Sequence, residues 1–139
     1  PVSHVHGSDL DLSFSGLKTA ALNLIHNAEQ KQEPLDLPSF AASFAHAVSE
    51  ELVPRTMLAA DQLGYRNIAA AGGVAANATI RRDLEAACRE RGVRLYLPRL
   101  SLCGDNGAMI GCQAYYEYLA GHTADWSLNG YANRLIDLG

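Results

Sequence analysis

Charge is scarce in this sequence. Asp, Glu, Lys and Arg make up 19% of the 139 residues and the net charge is -4, so the chain lacks the basic excess by which nucleic-acid binders neutralise phosphate. Cysteine is scarce as well. Cys88, Cys103 and Cys112 are odd in number and show no CxxC spacing, which argues against a disulfide scaffold and fits reduced thiols acting as small apolar packers in a cytoplasmic protein. No apolar run approaches the roughly 20 residues of a membrane-spanning helix, so a non-membrane protein is expected. The five histidines include no His-x-x-x-His pair, and none stands beside an evident nucleophile, which leaves both zinc-peptidase and Ser-His hydrolase chemistry without support. The start, Pro1-Val2-Ser3-His4-Val5-His6, has neither an initiator Met nor the basic and apolar regions of a secretory signal. It is expected to be the cut end of a longer chain.

What the sequence does have is apolar content, 48% of residues, at a length where folding removes roughly two-thirds of the unfolded surface from water. Ser13 and Ser15 are candidate caps for a helix with Leu17, Ala20, Ala21, Leu24 and Ala28 at helical spacing, ending near the polar run Glu29 to Glu33. Pro38 suits an early helical position, and Phe40, Phe44, Ala47, Val48 and Leu52 follow as a wide stripe. Pro54 is expected to kink or break this second helix, which resumes through Met57, Leu58 and Leu63 and stops at Gly64.

The second half changes character. Residues 67–71 read as a short buried strand, running at once into Gly72-Gly73. A helix from about Asn77 places Ile80, Leu84, Ala87 and Cys88 on one face, with Gly92 near its end. Val93, Leu95 and Leu97 alternate as a second strand, closed by Pro98. A last helix is expected from near Asp105, burying Met109, Cys112, Tyr116 and Leu119 and stopping at Gly121. The order helix, helix, strand, helix, strand, helix makes a parallel strand pair. Both strand ends then carry their turns, 72–77 and 100–105, to one edge, where open α/β sheets bind ligands. Two strands are few for this much apolar helix, so further strands are expected upstream or in a partner.

Those two turns hold the residues with chemistry to offer. Gly72 and Gly73 let the backbone come close to a ligand, the amides opening the next helix favour an anion such as a phosphate, and Asn77 has both an acceptor and two donors. A bare Gly-Gly at a strand-to-helix turn is also explained by structure alone. Cys103-Gly104-Asp105-Asn106-Gly107 supplies a carboxylate at a helix start, either as a metal ligand or as a plain N-cap. His4 and His6, as His-x-His, would both reach one ion if extended, with no third ligand in sight. His26, His46 and His122 read as surface or filling residues. Six of the eleven basic residues, Arg81, Arg82, Arg89, Arg91, Arg94 and Arg99, crowd one stretch, diluted by Asp83, Glu85 and Glu90. A solvated helix face is the expected reading, ahead of a tRNA-contacting stripe.

Three strings taken in order resemble the C-terminal motifs of the TsaD family, formerly described as O-sialoglycoprotein endopeptidase or glycoprotease. They are Asp11-Leu12-Ser13-Phe14-Ser15-Gly16-Leu17-Lys18-Thr19, Ala71-Gly72-Gly73-Val74-Ala75-Ala76-Asn77 and Leu102-Cys103-Gly104-Asp105-Asn106-Gly107-Ala108-Met109-Ile110. The tail Ser127-Leu128-Asn129 is similar to the family's ending, and the resemblance runs from about Asp9 onward. Two departures stand out: Gly104 replaces the usual Thr, which would loosen the Asp105 loop, and Pro54-Arg55 replaces a usually basic, helix-friendly pair.

The resemblance implies an α/β fold, namely part of the C-terminal lobe of an actin-like (ribonuclease H-like) ATPase, helix-rich with a short parallel sheet. Residues 1–139 would form the later part of the second lobe, with the first lobe and the family's His-x-x-x-His metal motif outside this chain. It implies an acyltransferase that moves the threonylcarbamoyl group of threonylcarbamoyl-AMP to N6 of the adenosine beside the anticodon in tRNAs reading codons that begin with A. Asn77, Gly72 and Gly73 then bind substrate or adenine nucleotide, and Asp105 ligates one divalent metal, Fe2+ by the family pattern. The implied partners are tRNA and TsaB-like and TsaE-like proteins, in the cytoplasm. The chain alone is expected to be inactive. A metalloendopeptidase, the older description, and a nucleotide-binding module of a complex are the alternatives.

Overall fold

The computed structural model describes residues 9–130, in two compact units, one ending at Asp105 and one beginning at Asn106. His4 and His6 lie outside the described residues. In the first unit, α1 (Ser15–Lys31) and α2 (Leu37–Leu63) lead into β1 (Asn67–Ala69), α3 (Ala78–Glu90) and β2 (Arg94–Tyr96). Short 3-10 turns at Gly73–Ala76 and Leu100–Leu102 follow the two strands. The expected element order holds.

β1 and β2 pair in parallel, with Ile68 opposite Leu95, and the ladder extends by one bond from the Ala70 amide to the Tyr96 carbonyl. Val53, Ile80 and Leu84 form one part of the core and Met57, Cys88 and Val93 another, with Ile68, Ala70 and Leu95 of the sheet region packed against them. α2 and α3 therefore bury their stripes against each other and against a single face of the sheet. The first strand was expected to be buried, yet Asn67 and Ala69 are exposed, while β2 alternates as expected, with Arg94 and Tyr96 exposed and Leu95 half-buried. A two-stranded sheet with both helices on one side leaves its other face bare.

α3 forms as its spacing predicts. Ile80, Leu84 and Cys88 are each at most 3% exposed, and each such side chain contributes roughly 1.5–3 kcal/mol by leaving water. Burial also pushes the Cys88 thiol up from its usual range, which suits a packing role. Its polar side is anchored too. Ser49, 2% exposed, donates from Oγ to Asp83 Oδ2 at 2.7 Å, while Arg82 Nε donates to Asp83 Oδ1 at 2.8 Å. At the far ends of the two helices Arg91 pairs with Asp61 at 2.8 Å, an exposed contact worth about 0.2–1 kcal/mol.

Several expectations are corrected. Pro54 neither breaks nor ends α2, which runs unbroken from Leu37 to Leu63. Pro54 and Glu50, whose carbonyl loses its amide partner, are both exposed, whereas Val53 and Met57 beside them are buried. Water can serve the orphaned carbonyl while the packed face holds the helix through. Gly64 does stop it, at φ 72. α1 has Phe14, not a serine, at its N-cap position, with no side-chain cap bond, and ends at Gln32 in the left-handed region. Only Leu17 of its apolar residues is buried, and Leu24 is 58% exposed.

The second unit holds one described helix, α4 (Gly107–Leu119). It begins two residues later than expected because Asn106, not Asp105, is the cap: Asn106 Oδ1 accepts from the Met109 amide at 3.0 Å. Met109, Tyr116 and Leu119, expected inside, are 49%, 62% and 61% exposed, and Cys112 is exposed as well. With no second described element in its unit, this apolar helix has nothing there to be buried against. The tail is held locally, the Ser127 amide donating to Asp125 Oδ1 at 2.8 Å. No described helix is long and apolar enough to cross a membrane.

Candidate functional site

Because β1 and β2 run parallel, the chain leaves both strands at the same sheet edge. The turn after β1 starts with Gly72 at φ 85, ψ 177, a left-handed conformation that L side chains rarely adopt. Nothing lies within 4 Å of where a Cβ would stand at Gly72 or Gly73. The Ala75 amide then closes onto the Gly72 carbonyl at 3.0 Å, and the Asn77 amide onto Val74 at 3.0 Å. The result is a tight turn whose glycines present bare backbone.

Asn77 ends that turn and caps α3. Its Oδ1 accepts from the amides of Thr79 at 3.0 Å and Ile80 at 3.2 Å. Two of the helix-opening amides expected to face an anion are therefore already satisfied. What Asn77 retains is its amide nitrogen, a donor of two hydrogens. Sequence reasoning had left acceptor and donors equally open.

On the α2 side of the turn lies an open hollow of about 520 Å³ lined by Phe40, Phe44, Val48, Val74 and Ile80, together with Gly73 and Asn77 of the turn. Its walls are apolar and its volume is in the range of small-molecule sites. Phe40 and Phe44 looked like ordinary core positions. The buried residues of α2 begin only at Ser49, however, so the stripe runs past what α3 covers, and its first two rings become a wall.

The turn after β2 runs through Leu100–Leu102 to the buried Cys103 and the exposed Asp105. It is bonded to the glycine turn by a residue that sequence reasoning placed on a solvated face. Arg81 is half-buried; its Nη1 donates to the Ala75 carbonyl at 2.7 Å and contacts Cys103 Sγ at 3.7 Å, and its Nη2 donates to the Pro98 carbonyl at 2.9 Å. The other arginines of that stretch do not form one stripe. Arg82 serves Asp83, Arg91 serves Asp61, and Arg94 approaches the Tyr96 hydroxyl at 3.4 Å.

Asp105 stands as an accessible carboxylate at the end of the second turn. Among the described residues no three His, Cys, Asp or Glu side chains converge into a metal cluster. The donors described here fit a metal only as one oxygen ligand among others supplied from elsewhere. His46 and His122 lie exposed beside Glu50 (3.4 Å) and Glu117 (2.7 Å), and His26 is exposed. Neither His26 nor His46 joins either turn.

Comparison with known proteins agrees with the motifs on these turns. The family model described as TsaD, tRNA N6-adenosine threonylcarbamoyltransferase, matches residues 1–112. Proteins named tRNA N6-adenosine threonylcarbamoyltransferase are similar to this chain: that of Moorella thermoacetica is 46% identical over 93% of the chain, that of Staphylococcus saprophyticus 45% over 91%, and that of Clostridium botulinum strain Kyoto 39% over 96%. The matched segment covers 38%, 37% and 39% of those relatives respectively, so the chain spans well under half their length. The chain belongs to the TsaD family.

Proposed function

We propose that this chain carries the adenylate-facing turn and one metal ligand of an enzyme that transfers threonylcarbamoyl from threonylcarbamoyl-AMP to N6 of the adenosine beside the anticodon, in tRNAs reading codons that begin with A. The observation that carries the reading is the parallel register of β1 and β2, which sends both family motifs off one sheet edge, where α/β sheets receive ligands. The chain would belong to the C-terminal lobe of an actin-like fold, with the remainder of the pocket supplied by sequence outside it.

In this reading Gly72 and Gly73 admit the nucleotide to within contact of the backbone, since neither carries a Cβ to hold it off. Asn77, its oxygen committed to α3, donates from its amide nitrogen to the bound adenylate. The hollow between Phe40, Phe44 and Val74 gives the planar base an apolar seat. Asp105 would contribute one oxygen to a divalent ion, Fe2+ by family resemblance; when bound, such an ion supplies positive charge against the phosphate or the carbonyl oxygen. In the transfer, the adenine N6 bonds to the carbamoyl carbon and gives up one proton to solvent, the bond from that carbon to the phosphate oxygen breaks with its electron pair going to that oxygen, and AMP leaves. Holding the adenylate rigidly at the turn is the contribution of this chain's own residues.

tRNA and TsaB-like and TsaE-like proteins are the proposed partners, and the cytoplasm the proposed compartment. The test uses the full-length enzyme with its partner proteins, tRNA and labelled threonine, scoring modified nucleoside. Asp105→Ala is expected to abolish modification. Wild-type protein that modifies no tRNA sinks the reading, and an Asp105→Ala variant as active as wild type removes Asp105 from it.

A further inference from the structure

We infer that Arg81 is the positioning residue that fixes the spacing between the glycine turn and the Asp105 turn, and so aligns the adenylate with the metal side of the site. The inference rests on the function proposed above, but its physical part can be tested apart from it.

Arg81 follows Asn77 by one helical turn, and its amide makes the first bond of α3, to the Asn77 carbonyl at 3.0 Å. A helical side chain leans toward the N-terminus over the preceding turn, so the guanidinium at this position is carried back over the glycine turn. There its two terminal nitrogens divide their work, Nη1 taking the Ala75 carbonyl at 2.7 Å and Nη2 the Pro98 carbonyl at 2.9 Å. Ala75 is the buried residue of the turn, 4% exposed, and Pro98 opens the segment that leads to Asp105. Cys103, 3% exposed, closes the same arrangement, its thiol 3.7 Å from Nη1 and 3.5 Å from the Arg99 carbonyl.

The two turns therefore share one rigid fork. Among the described residues the partners of Arg81 are all neutral, two carbonyls and a thiol, with no carboxylate in the set. A guanidinium used for an ion pair would be spent on charge; here it is used for geometry, through two donors at fixed separation. Lysine keeps the charge and has three donors, but they share one nitrogen on a flexible stem, so it cannot stand in the Nη1 and Nη2 positions at once and the fixed spacing between the two carbonyls is lost. Among the described residues the Arg82 side chain, next along α3, bonds only to Asp83 on its own helix, and it gives a measure of what an ordinary arginine of α3 contributes.

The experiment compares Arg81→Lys, Arg82→Lys and Ser49→Ala in the full-length protein. Ser49→Ala breaks a buried bond to Asp83 that involves no residue of either turn, and serves as a control for lost stability alone. Amide hydrogen exchange is read first. In Arg81→Lys, peptides spanning 72–77 and 99–105 both exchange at least about tenfold faster, while in the other two variants they keep wild-type rates relative to the rest of the protein. Transfer kinetics are read second: Arg81→Lys loses about 10- to 100-fold in kcat through misalignment, with a smaller change in KM, and Ser49→Ala keeps its kcat at temperatures where it is folded. Unchanged exchange in both segments, or a kcat loss that merely follows the melting temperature as in Ser49→Ala, overturns the inference. A wild-type enzyme without transfer activity overturns the proposed function instead, and leaves the exchange result to decide on Arg81.

Discussion

Arg81 Nη2 lies 2.9 Å from the carbonyl oxygen of Pro98, a residue 17 positions further along the chain. The rest of α3 and the whole of β2 lie between them, so this bond joins the first turn of the crossover helix to the exit of the strand it leads into. With the companion bond to Ala75, the edge of the sheet that carries both family motifs is tied together from within the first unit. Such bonds to a charged donor contribute roughly 1.5–3 kcal/mol each, so the turns are more than loosely apposed.

Asn77 serves two masters in the proposed site, and its two roles separate by substitution. Asn77→Ala loses the cap on Thr79 and Ile80, at a cost of about 1 kcal/mol, measurable by denaturant titration. Asn77→Asp keeps an oxygen for the cap and removes the donor nitrogen. It is expected to melt within a degree or two of wild type and to bind adenine nucleotide at least about tenfold more weakly by calorimetry in the full-length protein. Undiminished nucleotide affinity in Asn77→Asp would leave the residue as a cap and nothing more.

Gly72 and Gly73 are adjacent but differ in what they tolerate. Gly72→Ala forces a Cβ onto φ 85 and is expected to cost about 1–3 kcal/mol. Gly73 has no positive φ and open space about it, so Gly73→Ala is expected to change stability by less than about 1 kcal/mol. Equal unfolding midpoints for the two variants would contradict the turn geometry.

Asp83 ties acid stability to the α2–α3 interface. Its carboxyl is held below the usual aspartate range, first by the hydrogen bond from Arg82 and then by that from Ser49. A carboxyl depressed in the folded state binds protons more readily when unfolded. Its stabilisation is therefore full above the ordinary aspartate value near pH 4 and is lost as pH falls through the lower folded value. Asp83→Asn is expected to flatten the acid limb of the stability–pH curve. An acid limb of unchanged slope in that variant would show that other carboxylates set it.

Leu84 tests the core directly. It is 3% exposed between Val53 and Ile80, and Leu84→Ala is expected to cost about 2–5 kcal/mol in equilibrium unfolding. Leu24→Ala, at a position 58% exposed on α1, is expected to change stability by less than about 1 kcal/mol, although both leucines occupy similar places in their helical patterns. Similar losses at the two sites would mean that α1 is covered on the side where Leu24 lies.

The sequence alone determined those features that depend on near neighbours. The order of elements, the buried face of α3, the stop at Gly64 and the turns at the strand ends all follow from apolar spacing and from Gly, Pro and Asn acting on the adjacent backbone. Hence Asn77 and Asp105 could be placed at one sheet edge without coordinates. Tertiary structure decided what depends on which surface arrives from afar. Pro54 is tolerated because its side of α2 meets water, the apolar residues of α4 stay exposed because no described element of their unit covers them, and the Phe40–Phe44 stripe becomes a wall because α3 starts too late to bury it. Arg81 is the clearest case. In sequence it is one of the six arginines between positions 81 and 99, and only the parallel return of β2 brings the Pro98 carbonyl within reach of its second nitrogen.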